Sequence, residues 1–288
     1  MFTLFLVAAP VGAQQAIGVD VFDSRDSEHS GSLRTGVNFD LRHVDIEHYQ
    51  GLRLERARFS PLGNRAQSSD RVYYRFAGGS DWKWNGQLGS DGRTWLGSAS
   101  VFKDAANRQE YFLERDVVES PRELAAHHTY TFVGAAYDLP FDERDVATAM
   151  VSAQHFSDGN TRLHLRARYV RVLKPEWGLS LQLRTRYFQS SDPHLSDYYS
   201  PRWYAEAVPT LQIRRFYKRW QLQGAVGYGR QGDADSGWRP SRLIEANVVS
   251  PRSRNDWYFK AGLLRTNTPQ AVGAYSYDQF HIELMRVF

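Results

Sequence analysis

Apolar and polar residues alternate with a period of two along most of this chain, and the alternation restarts after each cluster of turn-forming residues. Between Thr161 and Val172, Leu163, Leu165, Ala167 and Tyr169 share one parity, while Arg162, His164, Arg166 and Arg168 share the other. The next stretch sets Trp177, Leu179, Leu181, Leu183 and Tyr187 against Ser180, Gln182, Arg184 and Arg186. The last one, YSYDQFHIELMRVF from Tyr275 to Phe288, sets Phe280, Ile282, Leu284 and Phe288 against Gln279, His281 and Glu283, and only Arg286 interrupts its apolar row. A period of two places the two sets on opposite faces of a strand. Strands are predicted near 16–24, 32–42, 50–60, 70–78, 81–90, 93–103, 108–118, 128–138, 144–155, 161–172, 177–189, 202–214, 219–230, 238–249, 256–266 and 276–288. That makes about sixteen, an even number, as in bacterial outer-membrane barrels.

Four features choose a membrane barrel over the alternative, a soluble β-sandwich. A soluble edge strand blunts its apolar row with charge, which the terminal strand does not. Arginine on a lipid face costs roughly 2 to 4 kcal/mol at bilayer depth, so the arginines of the tenth and eleventh strands belong inside and their leucines outside. Aromatics such as Trp177, Tyr187, Trp203, Trp220, Tyr228 and Trp257 fall near strand ends, as interfacial girdles require. The connections alternate as well. SRDSEHSG, SPRELAAHH, SSDPHLSDYYSP, GDADSG and NTPQAVGAY read as long polar outer loops. AGGSD, KDAAN, LPFDE, LKPE and SPRSRN read as short periplasmic turns. The second connection, around HVDIEHYQ, is longer than this scheme expects. The fold class is therefore all-β, a transmembrane antiparallel β-barrel with short periplasmic turns and longer extracellular loops.

Composition narrows the function classes. Aromatics are 14% of the chain although mean hydropathy is negative, the balance of a wall half lipid-facing and half polar. Beyond the N-terminus no apolar run approaches the roughly 18 to 20 residues of a spanning helix. The absence of cysteine excludes disulfide frameworks, thiolate metal sites and cysteine nucleophiles. With 36 basic against 32 acidic residues the surface is mixed, and no nucleic-acid partner is expected. The apolar run Phe2–Ala9 and the small residues Val11-Gly12-Ala13 read as a signal peptide over 1–13, without the usual basic start, leaving 14–288 as the barrel.

The candidate functional surface is the lumen. Arg162, His164, Arg166, Arg168, Gln182, Arg184 and Arg186 form one inward patch. On the seventh strand Tyr111, Leu113 and Val117 take the lipid face and leave Glu110, Glu114 and Asp116 inside. Two such walls either select solutes or pair with one another and stiffen the barrel. Phe112, Phe188 and Tyr258 offer stacking platforms for sugars or simply fill space. His127, His128, His43 and His48 read as loop and turn histidines; no metal site, cofactor or catalytic trio is marked, and the chain reads as a non-enzyme. Asp158-Gly159-Asn160 reads as turn chemistry.

A family resemblance then sharpens the expectation. FSDGNTR (Phe156–Arg162), DYYSP (Asp197–Pro201), PTL (Pro209–Leu211) and the terminal FHIELMRVF stand in an order and spacing similar to the C-terminal barrel of outer-membrane poly-N-acetylglucosamine export porins. Cellulose-export outer-membrane subunits look like more distant relatives, and the resemblance spans about Asp145 to Phe288. It implies a sixteen-stranded conduit for a linear exopolysaccharide in a Gram-negative outer membrane, serving biofilm formation. Phe280, Ile282, Leu284 and Phe288 would be the signal read by the barrel-assembly machinery. Those exporters carry tetratricopeptide helices before the barrel, whereas no repeat of about 34 residues is present here, so a separate periplasmic helical-repeat protein is an expected partner beside outer-membrane lipid and the polymer. Their lumen is expected to be acidic to suit a cationic polymer, whereas the strands from Arg162 to Arg186 are basic, which points to a different substrate. The alternatives are a surface receptor or adhesion protein acting through Gln189–Pro201, or a barrel enzyme acting on lipid or glycan.

Overall fold

The computed structural model describes residues 14–26, 30–251, 256–267 and 276–288; the expected signal peptide lies outside them, as does Tyr275. The strands are β1 (Gln14–Asp26), β2 (Gly31–Asp45), β3 (His48–Ser60), β4 (Gln67–Gly79), β5 (Trp82–Ser90), β6 (Trp95–Lys103), β7 (Gln109–Val117), β8 (Thr129–Pro140), β9 (Asp145–Phe156), β10 (Thr161–Lys174), β11 (Leu179–Ser190), β12 (Trp203–Tyr217), β13 (Trp220–Asp233), β14 (Arg239–Val249), β15 (Trp257–Thr266) and β16 (Tyr277–Val287). Each pairs antiparallel with its sequence neighbours, and β16 returns to β1 to close the barrel. Every strand end lies within three residues of the position predicted from alternation. At the seam, Ala16 faces Val287 and Asp26 faces Tyr277, and Gln15 and Phe288 exchange both backbone hydrogen bonds at 3.1 and 2.9 Å. Closure matters because hydrocarbon offers no partner to an open strand edge.

The outer face carries the apolar parity. Leu54, Val72, Leu113, Val133, Val151, Leu163, Leu165, Leu183, Leu211, Val226, Ile244 and Phe280 are all exposed there. An apolar belt of that extent has no place in water and fits the acyl region of a bilayer. Trp82, Trp177, Trp220 and Trp257 stand exposed beside the even-numbered turns, on the rim that also holds both ends of the barrel. We call this the inner rim and the opposite one the outer rim. Among the described residues no helix is long and apolar enough to cross a membrane.

Two expectations are corrected. The second connection is not long: β2 and β3 run on to leave only Ile46 and Glu47, where Asp45 Oδ1 accepts from Glu47 N at 2.7 Å. The reason is a pair of register shifts between Asp40 and Asp45, which move the inward side from Asp40 to His43 and so break the period-two pattern. Val117 does not face lipid. The chain turns into the barrel at the end of β7, and Val117 is buried with Ala57, Phe59, Tyr73, Leu96 and Leu124. Leu124 belongs to a short helix, α1 (Pro121–Ala126), within the connection expected to be an extended outer loop.

Candidate functional site in the barrel lumen

Register fixes which side chains meet inside. On β10 and β11, Arg166 lies directly opposite Arg186, Arg168 opposite Arg184, and His164 opposite Phe188. All belong to the parity opposite the exposed leucines, so the seven residues expected on this patch, Gln182 included, point inward. Like charges directly opposite destabilise a sheet, and two carboxylates from β12 and β14 offset part of that cost. Glu245 on β14 pairs with Arg184 at 2.9 Å, and Glu206 on β12 with Arg186 at 3.5 Å. Gln182 accepts from Arg184 Nε at 3.1 Å. Among the described residues no carboxylate lies within 4.0 Å of Arg162, Arg166 or Arg168.

Arg162 is held by rings instead. Its guanidinium stands 4.7 Å from the centroid of Phe188, 5.2 Å from Phe156 and 5.9 Å from Tyr198, and it donates to the Tyr199 carbonyl. Such cation–π packing needs no counter-charge. From this point a continuous arc of rings runs round the inner wall. Phe112 meets Phe132 at 5.3 Å, Phe132 meets His164 edge-on at 5.4 Å, His164 meets Phe188 at 5.5 Å, and Phe188 stacks on Tyr204 at 5.1 Å. Phe112 and Phe188 are both members of this arc. Tyr258, opposite the buried Met285, points inward on the far wall and takes no part in the arc.

The three acidic residues expected on the opposing wall are inside, but they are engaged on their own side. Glu110 accepts from Ser100 at 3.0 Å and pairs with Arg108 at 3.0 Å. Glu114 accepts from the Tyr130 hydroxyl. Asp116 pairs with Arg34 at 2.8 Å and with Arg71 at 3.2 Å, and Arg34 also binds Glu119. Arg71, fully buried, pairs in addition with Glu55 at 3.1 Å. Deeper in the barrel Arg53 joins Asp20, Glu55 and Asn38. Sequence reasoning passed over Arg34, Arg53, Glu55 and Arg71, although Arg53 and Glu55 alternate with Leu52 and Leu54 as plainly as the arginines of β10 alternate with its leucines.

Two outer connections fold inward and bind each other. In the first, residues 118–128, Ser120 and Glu123 are buried. In the second, residues 191–202, Asp197 accepts from Ser120 Oγ at 2.5 Å and from Arg122 N at 2.7 Å, and Ser196 donates to Glu123. Tyr198 stacks on Phe156 at 4.4 Å, and its hydroxyl donates to Asp158 at 2.9 Å; the Tyr199 hydroxyl donates to Asp233 at 2.6 Å. Burial, reinforced by these carboxylates, pushes both hydroxyls above the usual tyrosine range, so both stay protonated as donors. The turn Asp158-Gly159-Asn160 uses a left-handed Gly159 (φ 104°), and Asn160 donates to the Tyr198 hydroxyl at 2.9 Å, so the turn anchors the loop above it.

Between these loops and the wall lies a cavity of about 550 Å³. Arg162, His164, Arg166, Arg186 and Phe188 line one side, and Arg34, Glu114, Asp116 and Glu119 the other. The four histidines first considered each meet a single carboxylate: His43 with Asp40, His48 with Asp45, His127 with Asp91 and His128 with Glu123. Among the described residues no group of three potential metal ligands forms.

The chain is similar to a solved bacterial polysaccharide outer-membrane secretin, with 14% identity, 97% of this chain and 100% of that one covered, and a TM-score of 0.69. The fold is that of an outer-membrane β-barrel. Weaker likenesses are to Acinetobacter baumannii OccAB3 (7% identity, 97% and 100% covered, TM-score 0.45) and to a KdgM porin (10% identity, 94% and 99% covered, TM-score 0.37). No family model matches the sequence, and no curated protein does.

Proposed function

We propose that this barrel is a passive conduit through which a linear exopolysaccharide leaves a Gram-negative cell, with no cofactor and no catalytic step. The observation that carries the reading is the arc from Phe112 to Tyr204, a run of rings on the lumen wall with arginines beside it. The half-buried rings of Phe112 and Phe132 can stack on the apolar faces of pyranoses, with the buried Phe188 and Tyr204 bracing the wall beside them, and guanidiniums exchange hydrogen bonds with sugar hydroxyls. Many weak contacts of similar strength let a chain slide where one strong site would hold it. The polysaccharide secretin of the same fold gives the reading a precedent. Residues 1–13 would direct export, the barrel-assembly machinery would insert the chain through Phe280, Ile282, Leu284 and Phe288, and a separate periplasmic helical-repeat protein would feed the polymer. A receptor acting through Gln189–Pro201 is less favoured, because Tyr198, Ser200 and Pro201 are buried, which leaves Gln189, Ser191, Asp192, His194, Leu195 and Asp197 as its exposed part. The test is a clean deletion of the gene under biofilm conditions. Extracellular polysaccharide should fall and return with the wild-type gene; unchanged secretion would refute the conduit.

A further inference from the structure

We infer that the polymer is polyanionic, a glycan bearing carboxylates along its chain, and that these pass along a ladder of arginines from Arg168 and Arg184 through Arg166 and Arg186 to Arg162. The inference rests on the conduit reading and names its substrate class. Five guanidiniums project from two adjacent strands, and only two carboxylates, Glu206 and Glu245, lie within ion-pair distance of them among the described residues. The facing pairs Arg166–Arg186 and Arg168–Arg184 repel, and an arriving anion relieves that repulsion. Arg162, on the wall of the larger cavity, keeps a buried Nε with no hydrogen-bond partner.

Placement supports passage over a single closed site. The cavity of about 550 Å³ is lined by Arg162, Arg166 and Arg186, and a second cavity of about 240 Å³ by Arg166, Arg184 and Arg186. Arg166 and Arg186 are common to both, so they connect one chamber to the next. Alternate residues on a strand tilted by some 40° advance about 5 Å along the barrel axis, close to the advance of one sugar in an extended chain. Successive carboxylates therefore meet successive guanidiniums, and each contact can take the bidentate form that arginine and carboxylate favour. Phe132, half-buried on the lumen wall and lining the larger cavity beside His164, offers a ring to a sugar beside the charge. The opposite side of the larger cavity offsets only part of this field, because Arg34 and Arg71 pair with Asp116 and Arg34 with Glu119, which leaves Glu114, hydrogen-bonded to the neutral Tyr130 hydroxyl, as the acid there without an ion pair among the described residues.

The test is a binding measurement on the folded full-length barrel in detergent at low salt, with three hexasaccharides as probes: a uronate, a neutral glucan and a glucosamine oligomer. The uronate should bind at least about tenfold more tightly than the neutral glucan, as one charge-assisted contact provides, and the glucosamine oligomer most weakly. The preference should shrink several-fold in the Arg166→Gln, Arg168→Gln double variant, whose folding is checked by heat-modifiable gel mobility. Should that variant not assemble, wild-type protein still decides: uronate affinity should drop as salt rises from low to physiological strength while neutral-glucan affinity holds. Equal affinity for the three probes, or preference for glucosamine, overturns the polyanion inference and leaves the conduit standing. Binding of none overturns the polyanion inference, whereas the gene deletion decides the conduit separately.

Discussion

Asp197 is the hinge pin of the folded outer loops, and Asp197→Ala should loosen them. Its carboxylate accepts from Ser120 Oγ and Arg122 N, at 2.5 and 2.7 Å, and so ties residues 191–202 to the start of α1. Hydrogen bonds to a charged group contribute about 1.5 to 3 kcal/mol each when shielded. Asp197 is exposed, so water competes and the pair together should be worth only about 2 kcal/mol. That corresponds to roughly a thirtyfold rise in the ratio of opened to folded loop. Other ties, among them Ser196 to Glu123, Tyr198 on Phe156 and to Asp158, and Tyr199 to Asp233, keep the loop near the mouth. In planar bilayers the variant should show a larger open fraction and more frequent transitions than wild type, with Ser120→Ala about midway. Traces of Asp197→Ala indistinguishable from wild type would refute the argument that these loops occlude the mouth and that Asp197 holds them.

Three further changes probe the barrel wall. Arg71→Met leaves Glu55 with one partner fewer inside the barrel; loss of one member of a buried network costs about 3 to 5 kcal/mol, and Arg34 still on Asp116 favours the lower end, so the temperature at which the folded gel band disappears should fall. Leu165→Arg places a charge on lipid for roughly 2 to 4 kcal/mol, whereas Arg166→Leu, one residue on and facing the lumen, should leave that temperature little changed; equal effects would contradict the facing of β10. Deletion of Phe288 removes both backbone hydrogen bonds to Gln15 at the seam, and assembled protein in outer-membrane fractions should drop; full assembly after deletion would show that the seam closes without it.

The strands were legible because their determinant is local. Lipid on one side and a polar lumen on the other impose one rule at each position, and Leu163 to Tyr169 or Trp177 to Tyr187 obey it without reference to distant chain. The rule fails where the backbone changes parity, as at the bulges between Asp40 and Asp45, and where a strand ends, as at Val117. Helix α1 left a signal that was not used. Ser120-Pro121-Arg122-Glu123 has the S-x-x-E spacing of a capping box with proline at the first helical position. In the folded chain Ser120 and Glu123 serve a different end, bonding Asp197 and Ser196 of the other loop. Six residues are too few to hold a helix alone, so α1 exists because tertiary contacts hold it there.

Charge inside the lumen shows where local reasoning stops. Parity puts Glu110, Glu114 and Asp116 on the face opposite the exposed Tyr111 and Leu113, yet it carries no information about which opposite charge each will meet. That depends on how far the barrel has turned between one strand and another: Arg34 on β2 reaches Asp116 on β7, and Arg184 on β11 reaches Glu245 on β14. An acidic wall facing a basic one was a reasonable picture from faces alone, but Arg34 and Arg71 engage Asp116, Arg34 also takes Glu119, and Tyr130 takes Glu114. The consequence strengthens the basic side. With Glu110 paired to Arg108 and Asp116 to Arg34 and Arg71, Glu114 alone of the β7 acids lacks a cationic partner among the described residues, so neutralising Arg162, Arg166 and Arg168 should change a solute's charge preference more than neutralising Glu114 would.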